Sequence, residues 1–160
     1  MKTFKCIIAV VAALAFSASA LKAESVCAGV AQIATISGQV NGAAISRLLL
    51  KFDEIRVPSG SAIDYAELSW PVSSGNGSIT IECLPLATDW NSTTVSWTSP
   101  WTTPGGDYRR TGWLYPAVDL SAAGKLAIDM TVIVDGWMKN SGNYGVVVKR
   151  PRRRGRWFRN

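Results

Sequence analysis

Two carboxylates facing each other across a cleft can hydrolyse a glycosidic bond, and one pair of glutamates raises that question. Glu67 lies in Tyr65-Ala66-Glu67-Leu68-Ser69-Trp70, and Glu82 lies in the stretch from Ser78 to Leu84. Both stretches alternate apolar and polar residues, as half-buried strands do. Between them, Ser73-Ser74-Gly75-Asn76-Gly77 is a strong turn signal, so the two read as an antiparallel hairpin. Glu67 and Glu82 could then face each other at the roughly 5 Å of a retaining glycosidase or the roughly 6.5–9.5 Å of an inverting one. A solvated outer hairpin face explains them more simply. A lyase would draw on Tyr108-Arg109-Arg110 instead, but a tyrosine in a Gly-rich loop is too common to carry that alone. The 160 residues contain no histidine. This excludes a Ser-His-Asp triad, a Cys-His dyad and imidazole metal ligands. Three cysteines cannot make an all-cysteine zinc site, which needs four thiolates. The expectation is a protein that is not an enzyme.

Binding is better supported. Sugar rings stack their apolar C–H faces on aromatic side chains, and their hydroxyls meet Asp, Asn, Arg and Lys. Trp101, Tyr108, Trp113 and Tyr115 cluster in or beside the Pro/Gly-rich loop 99–112, with Asp107, Arg109 and Arg110 among them. A long loop with this many aromatics usually has a function. The competing reading is that Trp101 and Trp113 plug one end of a β-sandwich. Arg109-Arg110 favours an anionic glycan. Asp53, Asp89, Asp107 and Asp119 are strand-end or loop acids that leave a structural calcium open, but no EF-hand spacing names ligands. No other cofactor is indicated.

The formal charge of +6 suggests nucleic acid, but its distribution does not. Lys2 and Lys5 precede an apolar run of eleven residues, Cys6 to Phe16, followed by Ser17-Ala18-Ser19-Ala20. This is the pattern of a secretory signal peptide over residues 1–20, and the run is too short for a membrane anchor. Lys149, Arg150, Arg152, Arg153, Arg154, Arg156 and Arg159 crowd the last twelve residues, leaving residues 21–148 at −3. No nucleic-acid partner and no transmembrane segment are expected. The tail reads as a polyanion-binding arm or as a hairpin with Pro151 to Gly155 as its turn. Signal removal would leave Cys27 and Cys83. In an oxidising compartment they form either a disulfide closing a 57-residue loop, worth roughly 3–5 kcal/mol, or two unrelated buried thiols.

Gly, Pro, Asn or Ser punctuates the chain every eight to fifteen residues, the rhythm of short strands and turns. Strands are expected at Val30 to Ile36, Leu48 to Phe52, Tyr65 to Trp70, Ser78 to Leu84 and Tyr144 to Lys149, with extended chain from Trp113 to Leu120. Met130, Ile133, Val134, Trp137 and Met138 form one apolar helical stripe. Asp129 or Thr131 can cap that helix and Gly142 can end it. The whole predicts an all-β sandwich with one short helix, a single module over residues 21–160.

These elements carry a resemblance. Leu48-Leu49-Leu50-Lys51-Phe52-Asp53 is followed by Ile55, Pro58-Ser59-Gly60 and Ala66-Glu67-Leu68. Then come Asp89-Trp90-Asn91-Ser92-Thr93-Thr94-Val95-Ser96-Trp97, Asp129-Met130-Thr131 through Val134 to Trp137, and Asn143-Tyr144-Gly145-Val146-Val147-Val148. This order, from about Ile33 to the C-terminus, resembles the DNRLRE-domain family, which is similar to carbohydrate-binding module family 96 (the disaggregatase-related module). The resemblance implies a jelly-roll-like antiparallel β-sandwich in a secreted or cell-surface protein. Such a module binds polysaccharide without catalysis or serves surface adhesion. It implies that Trp90, Trp97 and Trp137 are core and loop-pinning residues, alongside the core positions Leu68 and Trp70. It also implies a further strand after Val146-Val148, which is expected to be missing here because the sequence stops at Asn160. A gene fragment, an N-terminal strand in the slot or a strand-completing partner would each account for that. The expected function is polysaccharide binding outside the cell. A structural or adhesive module that self-associates through an open sheet edge is the alternative, and a polysaccharide-degrading enzyme comes third.

Overall fold

The computed structural model describes residues 26–57, 62–72, 78–109, 118–119, 124–139 and 142–151. The expected signal peptide over residues 1–20, the expected turn at 73–77, Arg110, Trp113, Tyr115 and the tail from 152 lie outside the described residues, as does the Trp70 side chain.

The described residues form antiparallel β-sheets with one short helix, an all-β fold. Strands β1 (Val30–Val40) and β2 (Ala43–Phe52) form a hairpin. Asn41 and Gly42 turn it with φ of 52° and 78°, the left-handed pair that a two-residue hairpin turn requires. Both strands are longer than their apolar cores suggest, because the hairpin carries small and polar residues out to its tip. Strands β5 (Glu82–Pro85) and β8 (Val146–Lys149) complete a four-stranded sheet in the order β1-β2-β8-β5. Strands β3 (Glu67–Val72) and β7 (Gly124–Asp129) pair separately, as do the two-residue strands β4 (Ser78–Ile79) and β6 (Val118–Asp119).

One expected pairing changes. The stretches holding Glu67 and Glu82 do not form a hairpin with each other. Glu67 stands opposite Asp129 on β7, and Glu82 stands opposite Lys149 on β8. Alternation tells which side of a strand is buried but not which strand lies beside it. Glu67 and Glu82 are therefore not cross-strand neighbours. Strand β8 lies between β2 and β5, pairing antiparallel with both. Among the described residues the sheet ends at β1 and β5.

Strands β2, β8 and β5 of the four-stranded sheet are covered on both faces. On one, Leu50, Phe52, Cys83, Val146 and Val148 meet Leu68, Leu126 and Ile128 of the β3-β7 layer. The helix α1 (Thr131–Lys139) adds Ile133, Val134 and Trp137 to that layer. The Asp129 carboxylate accepts from Thr131 N at 2.8 Å and from the Thr131 hydroxyl at 2.6 Å. That hydroxyl accepts from Ala66 N at 3.0 Å, so the cap also ties the helix to the start of β3. Met138, at the margin of the expected stripe, is exposed.

The disulfide is absent. Cys83 is buried with its thiol 3.6 Å from Met130 Sδ, whereas Cys27 is exposed ahead of β1. Burial pushes the Cys83 thiol up to about 12. Since the thiolate is the nucleophile, alkylation of the native protein at neutral pH should modify Cys27 and spare Cys83. Both should react after denaturation, as peptide mass mapping would read. A Cys83 adduct formed at the same rate as the Cys27 adduct would contradict this packing.

Candidate functional site

The other face of the sheet carries the residues able to recognise a ligand. Arg47 lies one residue before Leu48 on β2, and Lys149 one residue after its partner Val148 on β8. Both therefore rise on the side opposite the β3-β7 layer. Ile36 stands across from Arg47, and Glu82 across from Lys149. This gives one transverse row of Ile36, Arg47, Lys149 and Glu82. Lys149 makes a hydrogen-bonded ion pair with Glu82 and is nearly buried.

Residues 86–109 fold over this row. Asp89 anchors the start, accepting from Lys51 Nζ at 2.5 Å and from Trp90 N at 2.8 Å. The hydrogen bond from Lys51 is the main reason that its carboxyl sits below the usual carboxylate range. Trp90 is buried and donates from Nε1 to Tyr144 O at 2.9 Å. Asn91 then closes a turn, its Oδ1 accepting from Thr93 N and Oγ1. Trp97 lies against Gly38 of β1, where a side chain on residue 38 would fill the space taken by the indole ring. Trp101 is buried and donates from Nε1 to Ser96 O at 2.9 Å.

Arg47 is the pivot of this layer. Its guanidinium lies 4.8 Å from the Trp97 ring centroid and 5.5 Å from that of Tyr108, and its Nη1 donates to Gly105 O. Lys149 Nζ approaches the Tyr108 ring at 5.3 Å from the same sheet. Arg47 is only 6% exposed, so these cation–π contacts are largely desolvated, where each can reach about 2 kcal/mol. Gly105 has φ of 93°, and a side chain there would meet the guanidinium.

A cleft of about 480 Å³ opens beside this pivot. Arg47, Thr88, Thr102, Thr103, Asp107 and Tyr108 supply its polar and aromatic groups, with Ala87, Pro104 and Gly106 between them. Asp107 braces one wall. It accepts from Thr102 N at 2.8 Å, Thr102 Oγ1 at 2.9 Å, Thr103 N at 2.9 Å and Thr88 Oγ1 at 3.2 Å. Burial alone would raise its carboxyl, but the Thr102 and Thr103 amides, helped by the two hydroxyls, outweigh burial and hold it below its ordinary value of 3.8. The ionised form is thus favoured in the folded loop. Its stabilising effect is complete above 3.8 and is lost as pH falls through the lower folded value. Acidification below about 3.8 should loosen this loop, read by Trp101 fluorescence. Asp107→Asn should remove that transition and leave any part due to Asp89.

The residues expected to bind are therefore divided. Asp107 and Tyr108 line the cleft. Trp101 lies beneath the loop in the apolar cluster with Ile36, Leu49, Leu84, Leu86, Trp90 and Val147. Tyr108 and Arg109 point to opposite sides of an extended segment. Arg109 lines a separate cavity of about 70 Å³ with Pro85, Leu86, Val132, Trp137 and Tyr144. The cation in the cleft is Arg47, which lies outside the aromatic loop and is not among the expected binding residues. Its signal was a single cation directly before Leu48-Leu49-Leu50, in phase with the buried Leu49. Among the expected core residues, Leu68, Trp90 and Trp137 are buried and Trp97 partly so. Among the described residues, no three His, Cys, Asp or Glu side chains lie close enough to share a metal ion, and no helix is long and apolar enough to cross a membrane.

No protein-family model, curated protein sequence or solved structure matches this chain. The likeness to the DNRLRE-domain family accordingly rests on the ordered motifs alone.

Proposed function

We propose that this protein is a secreted, non-catalytic module that binds polysaccharide in the cleft between Arg47, Asp107 and Tyr108. One observation carries the reading: a single concave site offers an aromatic ring, a guanidinium and three threonine hydroxyls. Ligand sites combine apolar surface with a few convergent polar groups in this way. A sugar C–H face would lie on Tyr108, and its hydroxyls would meet Thr88, Thr102 and Thr103. Arg47 favours a glycan bearing carboxylate or sulfate. The apolar run before Ser17-Ala18-Ser19-Ala20 supports export, and the ordered motifs support a carbohydrate-binding module of jelly-roll type.

Affinity electrophoresis through gels containing neutral or acidic polysaccharides tests the proposal. Retardation by an acidic polysaccharide is expected at low salt, weakening as salt rises. Tyr108→Ala should weaken it about fivefold to tenfold, in line with the roughly 1 kcal/mol worth of an aromatic contact. Thr103→Ala, an exposed change beside the cleft, should weaken it less without altering the fold. Absence of retardation by every neutral and acidic polysaccharide at low salt would overturn the proposal.

A further inference from the structure

From Ser25 to Ser46 the sequence holds 22 consecutive residues without a charge, bounded by Glu24 and Arg47. The structure turns most of this stretch into the β1–β2 hairpin, with β1 as the end strand of the four-stranded sheet. Edge strands present a row of unpaired amides and carbonyls. Natural proteins usually blunt them with short length, lysine, proline or a bulge. Strand β5 at the opposite end is short and partly covered. Beyond it, Leu86 pairs with Tyr108, and Arg109 N donates to Pro85 O at 3.0 Å. Strand β1 has 11 residues, spans about 36 Å at the usual strand rise, and contains no Lys, Arg, Asp, Glu or Pro. Its one irregularity, between Val30 and Gln32, lies at its start.

The side chains repeat the theme. Ala31, Ile33, Thr35, Ser37 and Gln39 are exposed along one face, Ile33 to 44%. The β3-β7 layer and α1 pack on β2, β5 and β8 but reach only Val30 of β1. Among the described residues, no strand pairs with the outer side of β1.

We propose that the outer edge of β1 pairs antiparallel with β1 of a second copy about a two-fold axis, joining two four-stranded sheets into one of eight. Charge selects the occupant. An uncharged edge accepts an uncharged strand without burying an unpaired ion. The chain itself carries such a strand at matched concentration. In a two-fold antiparallel pairing centred near Thr35 and Ile36, every residue of Ile33–Gln39 meets another uncharged residue. The exposed Thr35 meets Thr35 or Ser37 of the second copy, a favourable cross-strand pair. The interface is isologous and closes at two copies.

The test uses the purified protein in the form the expressing cell leaves it, with mass measured by sedimentation across a concentration series. The wild type should pass from monomer to dimer. Thr35→Lys and Thr35→Glu should each be monomeric at the same concentrations, because the two-fold axis brings like charges together. Mixing these variants should restore a dimer containing one of each. Neither exposed substitution enters the core, and an unchanged far-ultraviolet spectrum confirms the fold. A wild type that remains monomeric at the highest concentration reached would overturn the proposal, including the case where another segment of the chain covers β1. So would variants that remain dimeric, as they would if association ran through the apolar residues 6–16, or a mixture that remains monomeric. Polysaccharide binding through the Arg47–Tyr108 cleft is read separately, so either proposal can fail without the other.

Discussion

Gly145→Ala is expected to destabilise the protein by about 4 kcal/mol or more, a size reserved for changes that break a structural constraint. Gly145 has φ of 82° and leads into β8. Its backbone passes so close to β2 that a methyl group would land on the Leu50 carbonyl oxygen and 2.8 Å from Lys51 Cα. The left-handed conformation alone costs an alanine roughly 1–2 kcal/mol. The clash costs more, because both groups are backbone and one strand must move away. The strand displaced would be β8, whose Val146, Val147 and Val148 are all buried and which links β2 to β5. Gly42→Ala supplies the control. Residue 42 has a similar φ of 78° with nothing within 4 Å, so only the conformational cost should appear. Urea denaturation of both variants measures the difference. Equal midpoints would show that φ, and not the close approach to β2, makes glycine necessary at 145.

Arg47→Ala should cost about 3 kcal/mol. Hydrogen bonds to charged groups contribute roughly 1.5–3 kcal/mol, and the truncation also removes both ring contacts. It would leave the Gly105 carbonyl without its donor and Trp97 and Tyr108 without the group between them. Arg47→Lys should recover only part of the loss, since an ammonium lacks the planar guanidinium that stacks between rings. Arg56→Ala should change stability by less than about 0.5 kcal/mol, as expected for a surface ion pair. Arg56 and its partner Glu54 are both largely in water. Denaturation midpoints with tryptophan fluorescence check all three, and acidic polysaccharide retardation should fall with Arg47→Ala. An Arg47→Ala midpoint equal to that of Arg56→Ala would show that the guanidinium does not hold the loop.

Much of this architecture is visible before folding. The stripe Met130, Ile133, Val134 and Trp137 announces α1, and Asp129 caps it through Thr131 as its position suggests. Alternation around Leu68 and Cys83 identifies buried faces correctly, since both are in the core. The segment Asp89 to Trp97 stands out by composition, and each conspicuous residue has a local role. Asp89 takes Lys51, Asn91 closes a turn and Trp97 covers Gly38. Of the aromatic loop, Asp107 and Tyr108 line the cleft. Trp101 could not be sorted from them by composition. A loop tryptophan is a platform or a plug according to what lies under it, and here that is Leu86 and Leu49.

The sequence by itself marked the buried positions Leu68 and Cys83, the helical stripe Ile133, Val134 and Trp137, and the capping residues Asp129 and Thr131. These properties depend on neighbours within a few positions, through the periods of two and 3.6 and through capping. Tertiary structure alone decided that β3 pairs with β7 instead of the strand that follows it, and that Cys27 and Cys83 remain apart. It also decided that Arg47 reaches Tyr108, 61 residues along the chain. Strand pairing and side-chain contact at such separations are set by the summed burial of all layers at once. A period of two fixes a strand's face but leaves its partner undefined.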